Sequence, residues 1–380
     1  MKRSTDRILT THAGSLHRPP DLLEMIRARE SGIGFDAAAF DARLRSAVAE
    51  AVRLQVENGV DVVSDGEYSK VSFAMYVLDR IEGFGGDNPT PRGFGDREEF
   101  PEWAKQLGAP VGAVRPWCEG PLSWRGSASL QTDIDNLTSA ARAAGASEAF
   151  MPSASIGIIE EIMENQHYPS MRAYLYALAD VMRAEYKAIA DAGLVLQIDA
   201  PDAAMGKHTQ FRHAPLEDYK RQMWLRVEAL NHALQDVPPE QVRYHICWGN
   251  YEGPHTHDVE LKDIVDVTLA VNAAAYSIEA SNPRHAHEWL VWEDVKLPEG
   301  KVLIPGVIDT STNFVEHPEV VAQRIEQYAR LAGRENVIAG TDCGFGTSAT
   351  GTRVHPTIMW AKLRALADGA RLASGRLWSS

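Results

Sequence analysis

The chain has 380 residues, 44% of them hydrophobic and 24% charged, which is enough apolar material for a large globular core. A net charge of −14 and a pI near 5.4 leave no cationic face for phosphate, which excludes nucleic acid as a partner. No apolar run approaches the ~20 residues of a membrane helix, Met1-Lys2-Arg3 leads into polar residues rather than a signal sequence, and three cysteines are too few for a disulfide framework, so a cytoplasmic protein without a membrane partner is expected.

Arg7-Ile8-Leu9-Thr10-Thr11 predicts a first strand, followed by the small-residue loop His12-Ala13-Gly14-Ser15-Leu16-His17-Arg18 and a proline stop. Asp21 can cap a helix running to about Ala28. Phe40, Leu44, Ala47, Ala51 and Leu54 carry helical periodicity over 36–58, closed by Asn58-Gly59. Strand 60–63 ends in Ser64-Asp65-Gly66-Glu67. Residues 84–127 are rich in Gly, Pro and Trp without helical period and are expected to be an insertion, with a hairpin around Val114 to Gly126. Further strands are predicted at 149–155, 194–199, 242–247, 275–279, 302–309 and 337–341, and helices at 131–144, 171–192, 216–235, 260–272, 317–332 and 356–373. Strand and helix alternate throughout, which implies a parallel sheet. Eight such strands over this length predict one (β/α)₈ TIM barrel spanning 1–380, with a doubly wound sheet the runner-up.

In such a barrel the loops after the strands form the reactive face. Glu67, Asp199, His245, Cys247, Glu279, Asp309 and Cys343 all fall at or just past a predicted strand end. His245 and Cys247 stand at i and i+2, so they point to one side of their strand. With Glu279 and Cys343 they offer imidazole, two thiolates and a carboxylate, a donor set that favours Zn²⁺. A lone Cys in an apolar strand is usually a small core residue, but four such side chains at three distant strand ends read together as a reaction centre. Cys118 lies in the irregular insertion and has no assigned role.

His-x-Cys at 245–247, Ser277-Ile278-Glu279-Ala280-Ser281 and Thr341-Asp342-Cys343-Gly344 resemble the zinc motifs of the cobalamin-independent methionine synthase catalytic-domain family. Thr10-Thr11-His12-Ala13-Gly14-Ser15, Asp65-Gly66-Glu67, Leu196-Gln197-Ile198-Asp199 and Pro305-Gly306-Val307-Ile308-Asp309 resemble further landmarks of that family in order and spacing. The resemblance spans nearly the whole chain. It implies the barrel shared with uroporphyrinogen decarboxylase, a bound zinc ion, and methyl transfer from a folate to the thiol of homocysteine. It also implies that Glu67 and Asp199 hold the amino group of an amino-acid thiol, and Ser15 with its neighbours the carboxylate. The family's histidine after the Pro-Gly-Val-x-Asp segment is absent from Asp309-Thr310-Ser311-Thr312-Asn313, and the loop Asn250 to Asp258 is extra.

The alkyl donor is therefore open among methylfolate, methylcobalamin and an epoxide. The epoxide reading is similar to epoxyalkane:coenzyme M transferase, another single-barrel relative. An alkoxide or amine leaving group needs a proton, for which Asp309, His255, His257 and His12 are candidates. Arg18 or Lys207 could hold an anionic thiol. A zinc-binding protein without turnover is the reading from another class, and a decarboxylase would leave both cysteines unexplained. Oligomeric state is open, a homo-oligomer included.

Overall fold

The computed structural model of the chain describes residues 1–90, 92–107, 115–349 and 353–379. Ten strands occur in chain order: β1 (Leu9–Thr10), β2 (Val62–Val63), β3 (Ile81–Asn88), β4 (Arg115–Trp124), β5 (Glu148–Ala154), β6 (Val195–Asp199), β7 (Val242–Ile246), β8 (Ala275–Ile278), β9 (Val302–Ile308) and β10 (Ile338–Thr341). Eight of them are parallel in the order β1-β10-β9-β8-β7-β6-β5-β2. Between β1 and β2 the Asp61 N–H donates to the Thr10 carbonyl at 3.1 Å, and Thr11 Oγ1 donates to the Val62 carbonyl at 3.0 Å. The eight strands thus form a nearly closed (β/α)₈ barrel, and the strands predicted from apolar runs are the strands observed, within about two residues at each end.

Alternation within each strand sorts its residues between the helix layer and the barrel interior. On β6, Leu196 and Ile198 join the large outer core, while Val195, Gln197 and Asp199 take the other face. On β7, Tyr244 and Ile246 face outward, leaving Arg243 and His245 inside. The lower interior is apolar, with Leu9, Ala275, Val302, Ile304 and Ile338 in one cluster and Val62, Phe150 and Val195 in another, and Met1 packs against both. Above them lies a polar layer. Buried Arg243 donates from Nε to Gln197 Oε1 at 2.6 Å, from Nη1 to Thr11 Oγ1 at 2.9 Å and from Nη2 to the His12 carbonyl at 2.6 Å. Its guanidinium carbon sits 3.3 Å from the Phe150 ring centroid.

The insertion differs from its expected form. Residues 115–124 are one continuous strand, paired antiparallel with Ile81–Asn88, so the hairpin begins before residue 84 and does not turn within 114–126. Val114 lies outside the described residues. The glycines of Gly83-Phe84-Gly85-Gly86 hide the first arm from a reading based on apolar alternation. The hairpin's root is fastened by Arg80, which pairs with Glu185 at 2.9 Å and Asp133 at 2.5 Å. Short helices Gly95–Glu99 and Pro101–Gln106 follow β3. No described helix is long and apolar enough to cross a membrane.

Replacing Arg243 with Met leaves three buried acceptors without their donor, at about 1–3 kcal/mol each. Urea denaturation of Arg243→Met is expected to show a loss of about 3 kcal/mol or more, and an unchanged midpoint would contradict this role.

Candidate active site

The ends of β6, β7, β8 and β10 surround the mouth of the barrel. His245 and Asp199 are register partners on neighbouring strands, as are Arg243 and Gln197 one layer below. Gln197 therefore bridges the two layers: it accepts from Arg243 and donates from Nε2 to Asp199 Oδ1 at 2.6 Å and to the Ala13 carbonyl at 2.7 Å. At the mouth, a ring nitrogen of His245 and the sulfurs of Cys247 and Cys343 lie within 4.8 Å of one another. All three residues are buried. His245 Nδ1 meets Ser277 Oγ at 3.1 Å, and Nε2 has no hydrogen-bond partner of its own among the described residues. The Cys343 thiol holds the Cys247 thiol well below its ordinary pKa, against burial and with help from His245. Cys343 is raised in return. Burial lowers His245, but the neighbouring Cys247 sulfur and then the charge of Asp199 outweigh it and leave the imidazole raised.

Glu279 is buried beside this group but outside its 4.8 Å set. Its Oε1 accepts from the Trp248 N–H at 3.1 Å and its Oε2 from Asn282 Nδ2 at 2.9 Å. Burial, and then the charge on Cys247, raise its pKa well above the usual range. Asp342 fixes the loop that carries it, accepting from the N–H groups of Ala280, Ser281 and Asn282 at 2.8–2.9 Å.

A cavity of about 620 Å³ opens above the sulfurs and is lined by Ser15, Glu67, Asp199, His245, Cys247 and Cys343 among others. Six of the residues singled out from the sequence thus share one space. Ser15 is stapled to the Cys343 loop: the Phe345 N–H donates to its carbonyl at 2.8 Å, and the Gly346 N–H to its Oγ at 3.3 Å. A Cβ on Gly344 would lie 2.0 Å from Ser15 Oγ, so that approach requires glycine. Glu67 has φ of 59°, a left-handed conformation rare for a non-glycine residue. Its Oε2 is buried without a partner among the described residues. Burial raises Glu67 to about 7 against the pull of Lys70, and raises Asp199 to about 6 against His245 and Lys70.

The other candidates lie elsewhere. Arg18 is buried and spends its guanidinium on the carbonyls of Gly346, Glu67 and Lys70 at 2.7–2.9 Å, so it shapes the Glu67 turn rather than facing the cavity. Asp309 accepts from Ser311 and Thr312 backbone and hydroxyl groups. Those bonds outweigh burial and keep its carboxyl low. His255 lines a neighbouring recess of about 410 Å³ with Glu279 and Asp309. Its Nδ1 meets Asp258 Oδ2 at 2.6 Å and its Nε2 the Tyr251 carbonyl at 2.9 Å. His257 is partly exposed and pairs with Glu99 at 3.0 Å. His12 meets Gln55 at 2.8 Å and the Gly14 N–H at 3.2 Å, and burial drives its pKa down to about 3, so it is a neutral structural residue. Lys207 Nζ reaches the Arg212 carbonyl at 3.5 Å.

Several lining residues carried no signal in the sequence. Phe94, Asp96, Arg97 and Trp103 come from the insertion, His208 from the turn after β6, and Asn250 and Tyr251 from the long loop after β7. Asn250 ties that loop to the Gly344 carbonyl at 2.7 Å. Only the extra length of 250–258 marked it in advance.

Residues 162–362 match the family described as "Cobalamin-independent synthase, Catalytic domain". The methionine synthase of Sulfolobus acidocaldarius is 24% identical over 336 residues, covering 88% of this chain and 85% of the relative. That of Saccharolobus islandicus is 25% identical over 374 residues, covering 97% and 95%. Among solved structures, a methionine synthase from a Shewanella species in complex with selenomethionine superposes with a TM-score of 0.73 at 18% identity, covering 98% of this chain and all of that one. A vitamin-B12 independent methionine synthase homologue from Listeria monocytogenes superposes with a TM-score of 0.66 at 16% identity, covering 96% and 98%.

Glu67 gives a test with a definite sign. A carboxyl raised from 4.5 to about 7 binds its proton more tightly in the folded state. Stability is therefore lost as pH rises from about 4.5 through 7, by up to about 3 kcal/mol for this group. Glu67→Gln is expected to unfold at higher temperature than the parent at pH 8, with the gap narrowing at pH 5. Equal differences at both pH values would contradict the shift.

Proposed function

Because the chain belongs to the cobalamin-independent synthase catalytic-domain family, we propose that it is a methyltransferase that uses zinc to alkylate the thiol of homocysteine. The observation that carries this reading is the meeting of His245, Cys247 and Cys343 at the floor of a cavity walled by Glu67 and Asp199. Two sulfurs and an imidazole suit zinc better than magnesium or calcium, and the unpartnered Nε2 of His245 is what a buried ligand nitrogen would leave. His245, Cys247 and Cys343 would hold the ion, and Glu279 beside Cys247 completes the proposed set. When bound, zinc supplies a Lewis acid that keeps a substrate thiol deprotonated yet nucleophilic at neutral pH.

The chain's own groups orient the rest of the amino acid. Glu67 and Asp199 are buried carboxyls that lack a full counter-charge, and an ammonium group provides one. Its arrival favours their ionised forms, so binding displaces a proton from the pair below about pH 7. Ser15 and the backbone of the Cys343 loop to which it is stapled face the α-carboxylate. Helices Gly95–Glu99 and Pro101–Gln106, with Phe94 and Trp103 on the cavity wall, shield the thiol from water. Gln197 and Arg243 act from below by fixing the carboxylate of Asp199.

The methyl donor is the open half of the reaction. Methylfolate and methylcobalamin both fit an attacking thiolate. The epoxide reading finds no support in the two methionine synthase relatives named above.

Thiol loss is the assay, with homocysteine set against 2-mercaptoethanesulfonate, and methylfolate and methylcobalamin against a short epoxide. Turnover of homocysteine with a methyl donor is expected; turnover with the epoxide alone would overturn the proposal. Cys247→Ser is expected to lose sulfur-bound zinc and to slow methyl transfer by more than about 100-fold, beyond what outer-sphere changes at metal sites cost. A variant that keeps both zinc and rate would sink the zinc assignment.

A further inference from the structure

Above the cavity, three chain segments meet at His208, Asp258 and Asp96. His208 follows the turn after β6, Asp258 closes the long loop after β7, and Asp96 lies in helix Gly95–Glu99 of the insertion. Asp96 and His208 line the same cavity as Cys247 and Cys343. All of the side chains involved are buried, His208 completely and Asp258 to within 1%.

The proton positions around His208 follow from its neighbours. Tyr251 Oη lies 2.5 Å from Asp96 Oδ2, a separation that requires the phenol hydrogen between them. Tyr251 has no second hydrogen to give. At 3.4 Å from His208 Nε2 it can only accept, so Nε2 carries the ring proton. His208 Nδ1 is then a bare lone pair. It lies 3.7 Å from Asp258 Oδ1 and 3.9 Å from Asp96 Oδ1. Neither His208 Nδ1 nor Asp258 Oδ1 has a hydrogen-bond partner among the described residues.

Nearby donors are already committed. Asp258 Oδ2 meets His255 at 2.6 Å and His285 at 2.9 Å. The second ring nitrogen of each also faces an acceptor, the Tyr251 carbonyl and Glu288 Oε2 respectively. Each nitrogen of both rings thus faces an acceptor, which leaves neither ring a free lone pair. Asp96 Oδ1 accepts from the Thr256 N–H at 3.2 Å, and because the single Thr256 hydroxyl hydrogen goes to Glu99 Oε2 at 2.5 Å, Oδ1 retains a free lone pair. His208 Nδ1 thus faces two carboxylate oxygens with no hydrogen between it and either, an arrangement that a cation relieves. The spacings of 3.7 and 3.9 Å from His208 Nδ1 each fit a pair of ligands about 2.0–2.2 Å from one ion.

We propose that His208 Nδ1, Asp258 Oδ1 and Asp96 Oδ1 hold a second divalent ion of the first transition row, such as zinc or manganese. Its all-nitrogen-and-oxygen shell separates it from the sulfur site and favours an oxygen or nitrogen atom as further ligand. Because it faces the shared cavity, that ligand would come from the alkyl donor rather than from the thiol.

Cobalt(II) titration of chelator-treated protein tests this, because thiolate-bound cobalt absorbs strongly in the near ultraviolet and nitrogen- or oxygen-bound cobalt does not. Two equivalents are expected to bind, only one of them with the thiolate band. His208→Ala should bind one equivalent and keep the band; Cys247→Ser/Cys343→Ser should bind one without it. Saturation of the parent at one equivalent with the band, or two equivalents retained by His208→Ala, overturns the second site. Saturation at one equivalent without the band, abolished by His208→Ala, would uphold it and sink the thiol-site reading instead. If His208→Ala does not fold by circular dichroism, the double cysteine variant decides: one equivalent supports the site and none refutes it.

Discussion

The hydrogen bonds of one buried guanidinium hold the interior of this barrel in register. Arg243 reaches across to Gln197 on β6 and to Thr11 and His12 just after β1, while its face rests on Phe150 of β5. Burial pulls its pKa down to about 9, so it stays protonated at neutral pH and its donors remain available. Gln197 passes the constraint upward, since the amide that accepts from Arg243 also donates to Asp199. The next residue of that face on β7 is His245, and Cys247 follows just past the end of the strand. One alternating strand and the residue just past it therefore supply the anchor and two of the proposed metal ligands. A one-residue slip of β7 would remove all three from the interior at once.

The mouth of the barrel is built against its own stability. Glu67, Asp199, Glu279 and Asp342 are buried carboxyls whose pKa values burial raises. Glu67 adds a left-handed backbone, which Arg18 holds in place by binding its carbonyl. Buried carboxyls that lack a full counter-charge of their own mark candidate ligand sites. In the proposed reading an ammonium group serves the Glu67 and Asp199 side, and cations the sulfur and His208 sides. The apolar layers beneath and the helix-facing core absorb the cost.

The barrel was legible because buried parallel strands are continuous apolar runs separated by amphipathic helices, a pattern that survives in sequence alone. His245, Cys247 and Cys343 were legible because they end such strands, and the family motifs agree. Arg18 misled because a cation in a glycine-serine loop looks free to bind an anion, whereas folding turns it onto three carbonyls. Asp309 misled similarly: its place at a strand end is real, but Ser311 and Thr312 fold back onto it. The first arm of the insertion escaped because glycines replace the apolar alternation of a strand. His208, Asp96 and Tyr251 were invisible for a different reason. They come from three segments that only tertiary folding brings together, and no spacing within any one segment marks them.

Zinc K-edge X-ray absorption on protein loaded with a single equivalent of zinc tests the proposed thiol-activating centre most directly. Two sulfur neighbours with nitrogen or oxygen completing the shell are predicted, rising to three sulfurs when homocysteine is added. A shell without sulfur, or one that homocysteine leaves unchanged, would contradict it.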